Sequence, residues 1–322
     1  MTRVWPWLRL VAAVGILVVL GWRLGSAAFL DGLRAVDPWS VVAALGIGLL
    51  TTVCGAWRWC VVARGLGLPL TLGSAVSDYY RSLLLNAVLP AGVLGDVHRA
   101  VSHGQQSGDV GRGVRAVVFE RFAGQVVLVL VAVAVLVARP VAVDVRPGVV
   151  VSAVAVLVVG AVVGAVAGTV VASRVPKVRA VLGRTFSDAR RALLTRYALP
   201  RVAALSAVAV AGHVALFVVA ARAAGSTAPL GRLVPLVVLA LLVMAVPVNI
   251  GGFGPREAFL AVAFGAAGLG AAQGVTTAVV YGVLALVAAL PGVLTLVPGS
   301  QRRQVARERA GQAVQQVPAL VG

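Results

Sequence analysis

Two polar, glycine-containing stretches interrupt otherwise apolar sequence, and each contains an arginine that could bind phosphate. The first runs from Asn86 to Arg99 and the second from Pro247 to Glu257. In each, a glycine lies five residues after a proline and an arginine lies nine residues after it. A planar guanidinium can hold two phosphate oxygens at once, so these arginines predict a phosphate-bearing ligand. Broken apolar segments at matching positions of two halves indicate a transport site within a membrane.

The candidate binding residues are the polar and turn-forming residues of these stretches, with an acid–arginine pair from the next apolar segment. They are Asn86, Pro90, Gly92, Gly95, Asp96, Arg99, Glu120, Arg121, Asn249, Gly251, Gly252, Gly254, Arg256 and Glu257. The glycines would let the backbone turn tightly and approach a ligand. Charges at membrane depth cost about 2.5 kcal/mol or more, so they usually face a partner or a wet cavity. The acids could balance the arginines or carry protons; alternatively, Glu120, Arg121 and Glu257 form ion pairs that only join helices.

The composition indicates an integral membrane protein. Of 322 residues, 60% are hydrophobic and 12% are charged, and the mean hydropathy is +1.01. A soluble domain carries about 25% charged residues. The apolar residues also occur in blocks of about twenty, which is long enough to cross a bilayer. We therefore predict an all-α polytopic membrane protein with about six to eight transmembrane helices.

The net charge of +18 is explained by loops between membrane spans rather than by nucleic-acid binding. Basic residues accumulate in cytoplasmic loops of membrane proteins. No zinc-finger, RRM or helix-turn-helix pattern accompanies them, so nucleic acid is not an expected partner. The sequence also has no Walker pattern and no metal-ligand spacing, so we expect neither an ATP-driven pump nor a cofactor or metal.

The distribution of charge predicts the topology. Residues 174–201 carry eight basic residues against Asp188, which places this segment in the cytoplasm. Apolar residues recur there at helical spacing, which predicts a basic amphipathic helix on the anionic inner leaflet; the alternative is a solvated linker helix. The tail, residues 299–322, carries four arginines against Glu308 and is also predicted to be cytoplasmic, as is the N-terminus of the chain.

Residues 1–298 are predicted to form a single integral membrane domain. Full spans are expected at about residues 40–63, 114–138, 149–172, 202–224 and 273–298, after a first helix within residues 1–25. That first helix is expected to be uncleaved, with a signal peptide as the alternative. The distribution of basic residues places both ends of residues 74–98 on the cytoplasmic side of the membrane and both ends of residues 232–270 on the outer side. It therefore predicts an inverted pair of re-entrant hairpins, the alternative for 232–270 being two short crossing helices.

The motifs resemble the flippase-like membrane domain of lysylphosphatidylglycerol synthases, which also occurs as a stand-alone protein. The matching residues are Asn86, Leu89-Pro90-Ala91-Gly92, Gly95-Asp96, Arg99, Glu120-Arg121, Pro247, Asn249-Ile250-Gly251-Gly252-Phe253-Gly254 and Arg256-Glu257. The resemblance covers about residues 40–298. The family often has a second adjacent glycine where this chain has Val93-Leu94-Gly95, which would make the first hairpin less open.

This resemblance implies a flippase or transporter that moves a phosphate-bearing lipid, phospho- or polyprenyl-linked, across the bacterial cytoplasmic membrane. The site would lie near the midplane, between the two hairpins. Synthases of the family carry a soluble aminoacyl-transfer domain after the membrane part. The sequence after the last predicted span leaves no room for one, so we do not expect an enzyme.

Two other functions stay open. One is an intramembrane enzyme acting on a polyprenyl-phosphate or glycolipid, with Asp96, Glu120 and Glu257 as acid–base candidates. The other is a membrane scaffold that recruits a cell-envelope enzyme through residues 174–201 and the tail. The expected partners are a membrane lipid and the membrane surface, and a second copy of the chain or an envelope enzyme is a further candidate.

Overall fold

A computed structural model describes four segments of the chain, residues 34–88, 93–138, 176–245 and 255–296. These segments form α-helices joined by short turns, and no β-strand occurs among them. We number the described helices α1 (Pro38–Gly65), α2 (Leu72–Val88), α3 (Leu94–Gln106), α4 (Val110–Ala138), α5 (Pro176–Leu193), α6 (Ala198–Ala223), α7 (Leu230–Met244), α8 (Pro255–Ala266) and α9 (Ala271–Ala289). A 3-10 helix, Leu290–Leu296, continues α9. The described residues thus confirm the predicted all-α class.

Four of the described helices are long and apolar enough to cross a membrane. They are α1, α4, α6, and α9 with its extension to Thr295. The predicted spans 40–63, 114–138, 202–224 and 273–298 coincide with them, which confirms apolar helices of spanning length at these four positions. The predicted helices within residues 1–25 and 149–172 and the predicted tail lie outside the described residues. The total of about six to eight spans stays a prediction.

Helix α1 begins at a capped end that lies just outside its apolar span. The backbone N–H of Ser40 donates a hydrogen bond of 2.6 Å to Oδ1 of Asp37. That bond favours the ionised carboxylate and holds the pKa of Asp37 below its usual range. Pro38 follows at the first helical position. A backbone N–H has no intrahelical acceptor at that position, so proline, which lacks the N–H, loses no hydrogen bond there.

Helices α2 and α3 border the first motif and pack closely against each other. A Cβ atom on Gly95 would collide with the carbonyl oxygen of Ser82, so only glycine permits this approach of the two backbones. The helices extend beyond the predicted hairpin, residues 74–98, at both ends. Pro90 and Gly92 lie between them, outside the described residues. The re-entrant path of this segment stays a prediction.

Helices α7 and α8 border the second motif. Its residues Asn249, Gly251, Gly252 and Gly254 lie outside the described residues, and Arg256 and Glu257 lie in the first turn of α8. Helix α8 packs along α9, because Gly274 lets the backbone of Leu260 approach. Residues 232–270 were predicted to form a re-entrant hairpin or, alternatively, two short crossing helices. The two differ in how far the segment reaches across the membrane, and both stay predictions.

Helix α1 is the central element, in contact with α2, α4, α5, α6 and α9. Small residues let these helices approach, as is common in membrane proteins. A Cβ on Gly48 would lie 2.6 Å from the Cβ of Ala288 on α9, and one on Gly212 of α6 would collide with Thr51. One apolar core, with Phe217, lies mainly among α6 to α9, and another, with Trp59, lies among α1, α2, α4 and α5.

Within the basic segment 174–201, α5 (Pro176–Leu193) is helical, as the apolar periodicity predicts. Ala192 of α5 is fully buried and packs against Gly65 at the end of α1. Phe186 is exposed on the same helix. The apolar stripe of α5 is therefore divided between the protein and its surroundings, and its binding to the inner leaflet stays a prediction.

Candidate functional site

A network of buried charges joins the first motif to α1 and α4. At its centre, Glu120 of α4 is completely buried. Its Oε1 accepts hydrogen bonds from Arg58 of α1, through Nε at 2.9 Å and through Nη2. Its Oε2 accepts one from Nη2 of Arg99 at 2.7 Å. The hydroxyl of Tyr79 lies 3.3 Å from Oε1, so this carboxylate has partners on α1, α2 and α3.

Asp96 of α3 is the second carboxylate of the network. Its Oδ1 accepts from Nε of Arg99 at 2.9 Å, and its Oδ2 accepts from Nη2 of Arg121 at 2.6 Å. The side chains of Ser82 and Asn86, both on α2, also donate to it. The other end of the Asn86 amide accepts from the backbone N–H of Gly95 at 2.7 Å. Asp96 therefore holds α2, α3 and α4 together.

Arg99 is enclosed by this network rather than exposed to a ligand. Its side chain has no exposed surface, and its guanidinium lies 4.8 Å from the ring centre of Trp59 and 4.6 Å from that of Tyr79. Two of its nitrogens, Nε and Nη2, already donate to Asp96 and Glu120 of the protein. In this structure Arg99 stabilises the position of α3, and its predicted contact with phosphate is untested.

Arg121 is the member of the network with the largest exposed surface. Three arginines (Arg58, Arg99 and Arg121) face two carboxylates, so the network has one excess positive charge. The exposed fraction of the Arg121 side chain is 41%, against 8% for Arg58 and 0% for Arg99. Arg121 lines a cavity between the helices, so part of that exposed surface faces the cavity. The excess charge is therefore accessible there.

The cavity has a volume of about 290 Å³ and lies among α1, α2, α4, α6, α7 and α9. Its polar lining consists of Thr51, Thr52, Arg58, Tyr79, Arg121, Gln125, Ser206, His213 and Tyr281. Its apolar lining includes Leu83, Leu128, Ala209, Val210, Leu241, Met244 and Ala245. Ser206 also accepts a hydrogen bond of 3.0 Å from Nη1 of Arg58. Such a lining suits a ligand with a charged or polar head and an apolar body.

The second motif approaches the same cavity through an aromatic side chain. On α8, Nη2 of Arg256 donates to Oε1 of Glu257 at 2.6 Å, and both side chains are largely buried. The guanidinium of Arg256 lies 5.5 Å from the ring centre of Tyr281, which lines the cavity. The Tyr281 ring stacks on Phe217 with ring centres 4.0 Å apart. Arg256 is thus a neighbour of the cavity wall.

The structure brings together six of the predicted site residues and places two others in a separate pair. The first group is Asn86, Gly95, Asp96, Arg99, Glu120 and Arg121, and the second is Arg256 with Glu257. The remaining six, Pro90, Gly92, Asn249, Gly251, Gly252 and Gly254, lie outside the described residues.

Arg58, Tyr79, Ser206 and His213 also belong to the site, although the sequence did not predict them there. Arg58 carried a usable signal, because it is a charge within the apolar span of α1 and such charges usually face a partner or cavity. Ser206 and Tyr79 carried none, because single hydroxyl groups are common in membrane helices. His213 lines the cavity, whereas its apolar neighbours in the sequence suggest only packing.

Comparison with known proteins gives one match. A family model described as the lysylphosphatidylglycerol synthase TM region matches residues 7–292. The match includes both motifs, the charge network and all of α1 to α9. Searches of curated proteins and of solved structures give no match.

Proposed function

This chain belongs to the family of the lysylphosphatidylglycerol synthase TM region, and we propose that it moves a phosphate-bearing lipid across the cytoplasmic membrane. Family membership identifies a membrane protein with a lipid-related function and confirms the resemblance of the motifs. One observation carries the proposal: the excess positive charge of the network is exposed at Arg121 in an amphipathic cavity. The transported lipid would be a phospholipid or a polyprenyl-linked lipid.

The polar part of the cavity supports a phosphate as the head of the ligand. Of the three guanidinium nitrogens of Arg121, only Nη2 has a hydrogen-bonding partner among the described residues. A guanidinium pairs well with phosphate oxygens, and a charge-assisted hydrogen bond is about twice as strong as a neutral one. Gln125 and Ser206 line the same cavity and can donate further hydrogen bonds to a head group.

The apolar part supports a lipid rather than a soluble anion. Leu83, Leu128, Leu241 and Met244 line the cavity beside the polar groups. A small phosphate would leave these side chains without a partner, whereas an acyl or prenyl chain would bury them. Burial of apolar surface stabilises by about 25 cal/mol for each Å² removed from water.

Movement of the head group requires that Arg121 exchange partners. We infer that the lipid phosphate competes with Asp96 for Arg121 as the head group enters the cavity. Asp96 keeps its hydrogen bonds from Arg99, Ser82 and Asn86 when Arg121 turns away. The carboxylate is therefore not stranded, and the exchange does not disrupt the join between α2 and α3.

Transport fits the cavity better than acid–base catalysis does. Asp96, Glu120 and Glu257 are the acids that an intramembrane enzyme would use, and none of them lines the cavity. Each is hydrogen-bonded to an arginine. A general acid or base must reach the reacting atom within hydrogen-bonding distance, directly or through one water.

A lipid-exchange assay tests this proposal. The full chain is reconstituted in vesicles whose outer leaflet carries fluorescent phosphatidylglycerol, a fluorescent polyprenyl phosphate, or a neutral glycolipid with the label and acyl chains of the phosphatidylglycerol. We expect the protein to accelerate leaflet exchange of at least one phosphate lipid by about tenfold over its rate for the glycolipid, because Arg121 binds only the charged head.

Equal exchange of the charged and neutral lipids would contradict a phosphate-selective site. Exchange of none of the three would contradict transport itself. Release of a chemically altered lipid, detected by mass spectrometry, would instead favour the enzyme.

A further inference from the structure

A second cavity lies where the end of α1 meets the end of α5 and the start of α6. It has a volume of about 430 Å³. Its lining residues are Trp57, Val61, Arg64, Gly65, Arg191, Thr195, Tyr197, Ala198 and Arg201. None of these lines the cavity beside Arg121, so the two cavities are separate sites. Three of the nine are arginines and none is acidic.

The positive charge of this cavity is not balanced by nearby acids. Arg64 donates two hydrogen bonds to the backbone carbonyl of Leu70, at 2.8 and 3.2 Å, which leaves its charge unpaired while fixing its position. Among the described residues, Arg191 and Arg201 have no hydrogen bond or ion pair through their side chains. Asp188 is the only acid of α5, and it pairs with Arg115 at 3.0 Å.

The cavity lies at the boundary between the apolar spans and water. Trp57 is 48% exposed near one end of α1, and Tyr197 is 59% exposed immediately before α6. Tryptophan and tyrosine are enriched where membrane head groups meet the hydrocarbon. Arg196 fixes the ring of Tyr197, with the guanidinium 4.7 Å from the ring centre. Two exposed leucines, Leu194 and Leu199, provide apolar surface beside it.

We propose that this cavity binds the head-group phosphate of an anionic phospholipid from the leaflet that it faces. Arg191 and Arg201 would hold the phosphate oxygens, while Trp57 and Tyr197 would pack against the glycerol and the first methylenes of the chains. Basic pockets between membrane helices are suited to anionic head groups, and arginine is suited to phosphate. A lipid bound there bridges α5 and α6 and stabilises their junction with α1.

The bound lipid is distinct from the transported one. It contacts the outer boundary of α1, α5 and α6, whereas the transported head group contacts Arg121 between the helices. Because a ligand of the folded state stabilises that state by mass action, bound phosphatidylglycerol should raise the unfolding temperature.

A pair of double variants tests this site in the full chain. R191Q/R201Q removes the two arginines of the cavity, and R184Q/R190Q removes two exposed arginines of α5 that do not line it. Each purified protein in an uncharged detergent is titrated with phosphatidylglycerol, and bound lipid is counted by native mass spectrometry. We expect the affinity of R191Q/R201Q to fall by about tenfold or more and that of the control to change by less than about threefold.

Two further arms identify the ligand. Phosphatidylcholine should bind at least about tenfold more weakly than phosphatidylglycerol, because it has no net charge. Inorganic phosphate at millimolar concentration should not displace the lipid, because it lacks the chains that pack on Trp57 and Tyr197. The temperature of thermal unfolding should rise with phosphatidylglycerol in the unchanged chain and in the control variant only.

The proposal is overturned if R191Q/R201Q binds phosphatidylglycerol as tightly as the unchanged chain. An equal loss of affinity in the control variant R184Q/R190Q would show that binding depends on the overall charge of α5 and not on this cavity. Equal binding of phosphatidylcholine, or displacement of the lipid by inorganic phosphate, would overturn the anionic-lipid assignment. Circular dichroism and elution volume show whether R191Q/R201Q folds. If it does not, the single variant R201Q replaces it and is expected to bind phosphatidylglycerol about threefold more weakly or worse. Unchanged affinity of R201Q would then overturn the proposal.

Discussion

Replacement of Glu120 by glutamine is expected to lower the free energy of unfolding by about 3 to 5 kcal/mol. The side chain keeps its shape, but Arg58 loses its acid partner and Arg99 loses one of two. Both guanidiniums stay buried, and removal of one partner from a buried ion pair is costly because the other charge cannot return to water. Chemical unfolding of the purified protein in mixed micelles, followed by circular dichroism, measures this change.

Asp109→Asn is the matched control for this substitution. It also turns a carboxylate into an amide, but the ion pair of Asp109 with Arg112 is half exposed. Asn can also replace Asp in capping the start of α4, where Asp109 accepts from the N–H of Arg112. We expect a loss of less than about 1 kcal/mol. Equal effects of the two substitutions would show that the buried network does not carry the stability assigned to it.

A double variant separates the loss of charge balance from the loss of packing. If the cost of Glu120→Gln comes from unpaired Arg58, then Arg58→Met in the same chain should restore part of the stability. The double variant would then be more stable than the sum of the two single changes implies. Strict additivity would contradict direct coupling between the two side chains.

Replacement of Arg121 by glutamine is expected to slow lipid exchange by about sixtyfold to three-hundredfold. A charged group at membrane depth without a partner costs about 2.5 to 3.5 kcal/mol, and each 1.4 kcal/mol of barrier is a tenfold change in rate. Folding should survive, because Asp96 keeps Arg99, Ser82 and Asn86 as partners. The vesicle assay with the most rapidly exchanged phosphate lipid measures the rate.

Arg112→Gln is the control for the transport measurement. Arg112 lies on the same helix but is half exposed and does not line the cavity. Its substitution should leave exchange within about twofold of the unchanged protein, because a surface ion pair contributes little. Arg121→Lys should keep part of the activity, since the charge remains but the planar pairing is lost. Unchanged exchange in Arg121→Gln would remove Arg121 from the transport site.

Hydropathy predicts where the membrane helices are, but it does not predict which charges meet. Glu120, Arg121, Asp96 and Arg99 stand out in the sequence because each lies in or beside apolar residues. The ion pairs between them link positions far apart in the chain: Arg58 and Glu120 are separated by 62 residues. Such pairs depend on helix packing, which apolar periodicity leaves undetermined.

The arginine of α1 shows why a local pattern was insufficient. Trp57, Arg58 and Trp59 are consecutive, and tryptophans near a helix end indicate the membrane boundary. Consecutive residues of an α-helix point in directions about 100° apart, because a turn holds about 3.6 residues. Trp57 is therefore exposed, Trp59 is fully buried beside Arg99, and Arg58 points to Glu120. Of the two tryptophans, only Trp57 is therefore exposed enough to contact the membrane boundary.

The roles of the two motif arginines also depend on packing. Both were predicted to bind phosphate because a planar guanidinium within each broken apolar segment is suited to phosphate oxygens. In the structure Arg99 lies between two aromatic rings and two acids, and Arg256 pairs with its neighbour Glu257 beside Tyr281. The arginine open to the cavity is Arg121, which follows Glu120 on α4.

A structure of the protein in a nanodisc that contains the exchanged phosphate lipid would show directly whether the head group binds at Arg121. An antibody fragment that binds the folded protein would provide the mass needed for electron cryomicroscopy. We expect head-group density within about 3 Å of the Arg121 guanidinium, the distance of a charge-assisted hydrogen bond, with chain density along Leu128 and Leu241. A cavity that contains only water, with lipid bound solely at the outer surface, would contradict it.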